Sequence, residues 1–318
     1  MSNRLRVFAP ASASNLGPGF DVIGLALERP GDEVEVEASD VPGVQIVEVT
    51  GAPSLSADPA ENTAGVAAAA VLRHLDPSGR QGVRLWLHKR MPLASGLGSS
   101  AASSVASVVA VNHLLGGALS ASTLVNCALE GEVAASGTLH ADNVAPSLLG
   151  GIVLIRSCDP LDLVSLPVPA ALRVVVIHPH AEIETASARR LVAESRFEIG
   201  QAVANLGNFG AMICALHSGD LALFGRSISD ALVEPIRMPQ VPAFREVKAA
   251  ALQAGALGCS ISGSGPSVFA FADSDSRAEV VADAMQEAFG RVSLDSDRYL
   301  GPVNTTGARA LTQPDGAE

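Results

Sequence analysis

The stretch Pro92-Leu93-Ala94-Ser95-Gly96-Leu97-Gly98-Ser99-Ser100-Ala101-Ala102 sets two glycines and three serines between a strand-like and a helix-like segment. Glycines let the backbone turn sharply and approach a ligand closely. The first turn of a helix offers unpaired N–H groups and the positive end of the macrodipole. Together they make a cradle for phosphate, to which Ser99 and Ser100 add hydroxyls able to donate to phosphate or ligate Mg²⁺. Two well-known phosphate loops do not fit. A Walker A loop needs a lysine after its last glycine, and none stands here. Gly96-x-Gly98-x-x-Ala101 has dinucleotide spacing, but that fingerprint wants an acidic residue about 20 positions on to hold ribose. Met91 to Leu129 contains no acidic residue.

The whole string from Pro92 to Ala102 resembles the phosphate loop of the GHMP kinases, the family of galactokinase, homoserine kinase, mevalonate kinase and phosphomevalonate kinase. Two further segments are similar to motifs of that family. "GCSISGSGPSVFAF" (Gly258–Phe271) resembles the glycine-rich third motif that packs beside the phosphate loop. "APASASNLGPGFDVIGLAL" (Ala9–Leu27) resembles the first motif in its homoserine-kinase form. The motifs run in family order from position 9 to 271. The resemblance implies an α+β, two-domain GHMP kinase fold. A ribosomal-protein-S5-like domain would occupy residues 1–165 and a ferredoxin-like α/β sandwich 166–311, with a disordered tail at 312–318 and the site between the domains. It also implies ATP and Mg²⁺, transfer of the γ-phosphoryl to a small alcohol, and a homodimer. The homoserine-kinase form implies L-homoserine as acceptor, in threonine biosynthesis. A GHMP kinase for another small alcohol, or a non-catalytic relative binding ATP or an amino acid, are the alternatives.

L-Homoserine is a zwitterion with a primary hydroxyl. It needs an anion for its ammonium, cations for its carboxylate and a means of orienting the hydroxyl. In "NLGPGFD" the resemblance assigns Asn15 to substrate contact and Asp21 to the amine; turn-forming Asn and Asp are the ordinary reading of such loops. Arg189 in "ETASARRL" and Arg237 in "EPIRMP" match settings that hold the carboxylate, for which a guanidinium fork is suited. Thr185 joins them, and Arg190 competes with Arg189. In "EGEVAASGTLHADN" Glu132 resembles the Mg²⁺-ligating glutamate, shared with Ser100, and Glu130 is its rival. His140 and Asn143 resemble residues beside the reacting hydroxyl. Asparagine cannot take a proton, so Asn15, His140 and Asn143 are expected to orient rather than deprotonate, with Asp142 the alternative base. Asn62 is assigned either to the adenine pocket or to a helix N-cap. Lys89, just before the loop, could see phosphate, but a surface lysine is the preferred reading.

The elements that must position these residues alternate irregularly, which predicts α+β domains rather than a βαβ array. Strands are expected over Arg4–Ala9, Val22–Leu27, Glu33–Ala38, Val83–His88, Gly151–Arg156, Arg173–His178 and Ser267–Ala272. "EVEVEA" in the third alternates strictly, as a half-buried strand does. Helices are expected over Asn62–Leu75, Ser100–Leu115, Ser122–Ser136 and residues 185–195, 198–218, 219–231, 242–254 and 275–290. "SLPVPAAL" at 165–172 reads as the linker, because its prolines interrupt both periodicities.

Composition narrows the classes. The 318 residues are 48% hydrophobic but only 3% aromatic, so the core must be built from Ala, Val and Leu. A net charge of −12 argues against a nucleic-acid footprint. Cys127, Cys158, Cys214 and Cys259 form no CxxC pair, which makes a zinc site unexpected. With no apolar run near 18 residues, no membrane span is expected, and the reading is a cytoplasmic protein.

Overall fold

The computed structural model describes residues 4–311, apart from the side chains of residues 135 and 136; the tail expected at 312–318 lies outside the described residues. In chain order the strands are β1 (Leu5–Ser14), β2 (Ile23–Ser39), β3 (Gly43–Thr50), β4 (Gly82–His88), β5 (Ile152–Cys158), β6 (Leu161–Leu166), β7 (Arg173–Pro179), β8 (Gly258–Ile261), β9 (Val268–Ala272), β10 (Ser296–Pro302) and β11 (Arg309–Leu311). The α-helices are α1 (Thr63–Leu75), α2 (Ser99–Leu114), α3 (Ala121–Ser136), α4 (Val144–Leu149), α5 (Thr185–Ala193), α6 (Ile199–Ser218), α7 (Leu221–Ser227), α8 (Glu234–Arg237), α9 (Phe244–Gln253) and α10 (Asp275–Gly290).

Seven strands form the first sheet, in the order β11-β1-β2-β4-β3, with β5 joined to β2 and β6 to β5. Its two faces follow from strict alternation. Val34, Val36, Val83, Leu85 and Leu87 turn inward and are buried. Glu33, Glu35 and Glu37 turn outward, where they pair with Arg6, Arg4 and Arg84. Val22–Leu27 and Glu33–Ala38, read separately from the sequence, belong to one continuous strand, because β1 pairs with the backbone through Gly31 and Asp32.

Helices α1 and α2 lie on the inner face, and α3 packs across both of them. Helix α2 carries only small residues for three turns, so it can be surrounded: all but three of its residues are buried. Its buried hydroxyls need partners, and Ser107 Oγ donates to Ala64 O at 2.7 Å.

The second sheet is antiparallel, in the order β10-β7-β9-β8. Its central strands are buried on both faces and therefore read as unbroken apolar runs. On one face Val174, Val176, Phe269 and Phe271 meet Met212 and Leu216 of α6 and Phe224 of α7, in a core continuous with that of the first sheet. On the other, Val175, Ile177, Val268 and Ala270 pack against α9 and α10. The chain does not divide into two sequential blocks at 165/166. After β10 it returns to the first sheet, where β11 pairs antiparallel with β1, and Asn304 N donates to Ala26 O at 3.0 Å on the way.

Candidate functional site

Where the two sheets meet, a cleft of about 480 Å³ is lined by the loop before α2, the loop after β1, the α3–α4 connection, α5, Arg237 and the β8–β9 loop. Each end is assembled differently.

At one end the α2 N-terminus faces the cleft. Its cap is Gly98, at φ 67°, which makes no side-chain cap bond, and among the described residues no side chain bonds to the first-turn N–H groups. Those donors remain available to an anion. Two glycines are required by space as well as by φ. A Cβ on Gly98 would lie 2.4 Å from Ser12 Oγ and 2.9 Å from Asn143 Oδ1. One on Gly96, at φ 76°, would lie 2.4 Å from Ser262 O and 2.9 Å from Gly265 O. Ser12 N donates to Leu97 O at 3.0 Å, Ser262 Oγ to Gly96 O at 2.7 Å and Ser267 N to Ser95 O at 3.2 Å. The first and third motifs thus hold the phosphate loop from both sides.

Beneath the loop lies a pair that sequence reasoning missed. Lys89 is not a surface lysine. It is buried and ion-paired with buried Asp32, with their side chains 2% and 1% exposed. Lys89 Nζ also donates to Ser99 O at 2.9 Å and Ser103 Oγ at 2.7 Å. Asp32 accepts from Ser99 Oγ at 3.1 Å, Ser103 Oγ at 3.0 Å and Arg90 N at 2.9 Å. Every charge is met, as burial demands. The Ser99 hydroxyl is therefore turned inward, away from the ligand role expected of it. Ser100 is exposed, and its Oγ donates to Glu132 Oε2 at 2.9 Å.

Leu93, Ala94, Ser95, Gly96, Gly98, Ser99 and Ser100 line the cleft, while Pro92 does not. Leu97, Ala101 and Ala102 are fully buried in the core, so any part they take in the loop is confined to backbone. Asn62 reaches the cleft wall, but its Oδ1 caps α1 through Ala64 N and its Nδ2 donates to Ser56 O at 2.8 Å. Both groups are committed to the protein, and capping is the role the structure gives it. Glu130 pairs with Arg73 on the surface, which leaves Glu132 as the carboxylate facing the cleft.

The other end is made of charged side chains. Asn15 and Asp21 adopt left-handed backbone, at φ 72° and 61°, and Asn15 Oδ1 accepts from Asp21 N at 3.0 Å. The Asp21 carboxylate takes a two-pronged contact from Arg189, 2.9 and 3.2 Å long. His140 Nδ1 lies 3.4 Å from the same carboxylate. Burial lowers the His140 pKa from its ordinary 6.5, against the pull of the Asp21 carboxylate, and so disfavours the charged imidazolium. Arg237 is buried, donates from Nη1 to Gly263 O at 2.6 Å and stands 5.0 Å over the Phe20 ring. Its Nε is buried with no partner, a standing donor for an anion. Thr185 Oγ1 lies 3.3 Å from Ser264 Oγ. Arg190, one step along α5 from Arg189, is exposed and absent from the cleft wall.

Between the ends, Asn143 accepts from Ser12 Oγ at 2.9 Å and donates to Ser14 Oγ at 3.3 Å. Asp142 is buried beside it. Burial, reinforced by the neighbouring Asp21 charge, pushes its carboxyl up to about 6. Burial pushes Glu132 up to about 7. No cluster of three or more His, Cys, Asp or Glu suited to a metal exists among the described residues. The donor set Ser100 and Glu132 still fits Mg²⁺, which usually takes one or two protein oxygens and completes its shell with phosphate and water.

Family models for the GHMP kinases N-terminal domain and the GHMP kinases C-terminal region match residues 62–151 and 212–291. Homoserine kinase of Chloroherpeton thalassium is 44% identical over 316 residues, spanning 96% of this chain and 98% of its own. The crystal structure of homoserine kinase from Cytophaga hutchinsonii superposes with a TM-score of 0.93 at 48% identity, covering 98% of both chains. Lactococcus lactis galactokinase complexed with galactose, at 16% identity and a TM-score of 0.72 over 98% of this chain and 95% of its own, shares the fold.

Proposed function

Because this chain belongs to the homoserine kinases of the GHMP kinase family, ATP-dependent kinases of small molecules, we propose that its cleft transfers the γ-phosphoryl of ATP to the hydroxyl of L-homoserine. The observation that carries the reading is the pairing of ends. A backbone cradle for phosphate faces Asp21, Arg189 and Arg237, the charges a zwitterion needs, across one cleft. Galactose has no charge and mevalonate no ammonium, so neither would use this set fully.

The position of each group supports the following roles. Free N–H groups and the dipole of α2 hold the phosphates. Ser100 and Glu132 would hold Mg²⁺, which, when bound, neutralises phosphate charge. Asp21 takes the ammonium, while Arg189, Arg237 and Thr185 take the carboxylate. Asn15, His140 and Asn143 orient the hydroxyl. Phosphoryl transfer passes through a loose transition state in which positioning and electrostatics do most of the work, and no strong general base is required. The product, O-phospho-L-homoserine, places the enzyme in threonine biosynthesis, and we assign it to the cytoplasm.

We also propose a homodimer through α6. Ile199, Val203 and Leu206 are 82%, 63% and 71% exposed along one face. Gly207 and Gly210 follow on that face, and a Cβ at either would have nothing within 4 Å of it, so a second helix can approach closely. This 20-residue helix is also long and apolar enough to cross a membrane. Its opposite side, however, is seated on the protein, with Asn205 bonded to Pro18 O and Ala231 N and Met212 and Leu216 in the core. Light scattering on Leu206→Glu would show a monomer; an unchanged mass would remove α6 as the interface.

The acceptor is tested by timing ADP release with Mg-ATP and L-homoserine, D-homoserine, L-threonine, mevalonate or galactose. Turnover confined to L-homoserine is expected. Preference for another alcohol would overturn the assignment.

A further inference from the structure

The two groups assigned to opposite ends of the acceptor already hold each other. Arg189 contributes Nη1 and Nη2 to the two oxygens of Asp21, at 2.9 and 3.2 Å. Each side chain is 24% exposed, at the cleft surface rather than sealed below it. This contrasts with Asp32 and Lys89, whose partners are all internal. Asp21 is held by its own loop: its φ is 61° and its N–H is tied to Asn15. Arg189 arrives from α5, which buries only Ala188 and Val192 of its nine residues. The carboxylate is fixed, and the guanidinium is the member free to yield.

We propose that the acceptor binds by exchange of this ion pair: its ammonium displaces Arg189 from Asp21 as its carboxylate engages the released guanidinium. The proposal rests on the acceptor reading above. Exchange conserves charge pairing only for a zwitterion. An alcohol with a carboxylate alone would release Asp21 without a cation, and one with an ammonium alone would release Arg189 without an anion. Leaving a partly desolvated charge unpaired costs more than the contact itself contributes. The resting pair is therefore a specificity element against singly charged alcohols, whose penalty exceeds the loss of one contact.

The test compares the wild type, Asp21→Asn and Arg189→Gln on L-homoserine, 4-hydroxybutanoate and 3-aminopropan-1-ol. Both variants should lose turnover on L-homoserine. Exchange further requires a gain. With Asp21 neutral, Arg189 is no longer held, and kcat/KM for 4-hydroxybutanoate should rise about tenfold above wild type, the scale of one charge-assisted hydrogen-bonded contact. Arg189→Gln should improve 3-aminopropan-1-ol in the same way. Truncated alcohols that are equal or worse on the variants overturn the exchange. Where their turnover is too slow to time, protection of each ATP-bound protein against thermal unfolding by the same alcohols is compared; equal protection in wild type and variant overturns it as well. ATP binding checks that the variants fold. A wild type that ignores L-homoserine fails the acceptor reading itself, and that is seen before any variant is measured.

Discussion

The two ends of the cleft meet charge in opposite ways. At the α2 end the cleft presents backbone N–H groups, small side chains and the carboxylate of Glu132 bonded to Ser100, while Lys89 and Asp32 are buried below and paired with each other. At the other end the ions Asp21 and Arg189 stand at the cleft surface and pair with one another, with His140 beside them. Phosphate presents the same oxygens in every turnover, so a permanent cradle serves it. An acceptor must be told apart from other alcohols, and under the proposed exchange that task falls to side chains whose partners change.

The most damaging way to test this division is Gly96→Ala. The new methyl would press on the carbonyls of Ser262 and Gly265, which cannot swing aside. A loss of about 10²-fold or more in kcat/KM for ATP is expected; steady-state kinetics with ATP varied would expose a loop that tolerates it. Arg237→Gln attacks the opposite end. It should raise the acceptor KM about 10- to 100-fold, the scale of a charged hydrogen bond, and leave the ATP KM in place. Equal rises in both would mean that the ends are not separate.

Asp142→Asn sharpens the boundary between them. Turnover should fall less than about tenfold if Asp142 only supports the floor, whereas a loss above about 10³-fold at intact stability would make it the base. The same variant has a stability signature. Burial raises the folded Asp142 pKa from 3.8 to about 6, so its contribution is full below the unfolded value and is lost as pH rises through about 6. Asn cannot ionise. The variant should melt above wild type at pH 8, and the gap should close near pH 4. The smallest effect is expected far from the cleft. Arg298→Ala, which breaks exposed contacts to Glu279 and Asp283, should shift stability by less than about 1 kcal/mol in a urea titration and leave both KM values alone.

What the sequence discloses follows the same line. The phosphate loop is one contiguous string, so its motif can be read directly. The acceptor end comes from Asn15–Asp21, His140–Asn143, Thr185–Arg189 and Arg237, and only family resemblance links those stretches. Helix periodicity cannot choose between Arg189 and Arg190; the orientation of α5 does. Lys89 passes for a surface residue in the sequence because its partner lies 57 residues away. The register that pairs Glu33 with His88 sets Asp32 beside Lys89, and register is a property of the folded sheet. The strands not foreseen are β3, largely exposed at an edge, β6, the four-residue β8, β10 and β11. β8 and β11 are too short and β10 too polar to be separated from loop, whereas Val44 and Ile46 of β3 and Leu161 and Leu163 of β6 alternate as strand residues do, a signal that sequence reasoning missed.

The return of the chain to its own beginning has a consequence for synthesis. β1 leaves the ribosome well before β11, which covers its free edge. Until then that edge of the first sheet presents unpaired N–H and C=O groups to any neighbouring strand. The N-terminal half therefore cannot complete its sheet as an independent folding unit while the rest is being made. A fragment ending at residue 165 would keep that edge bare.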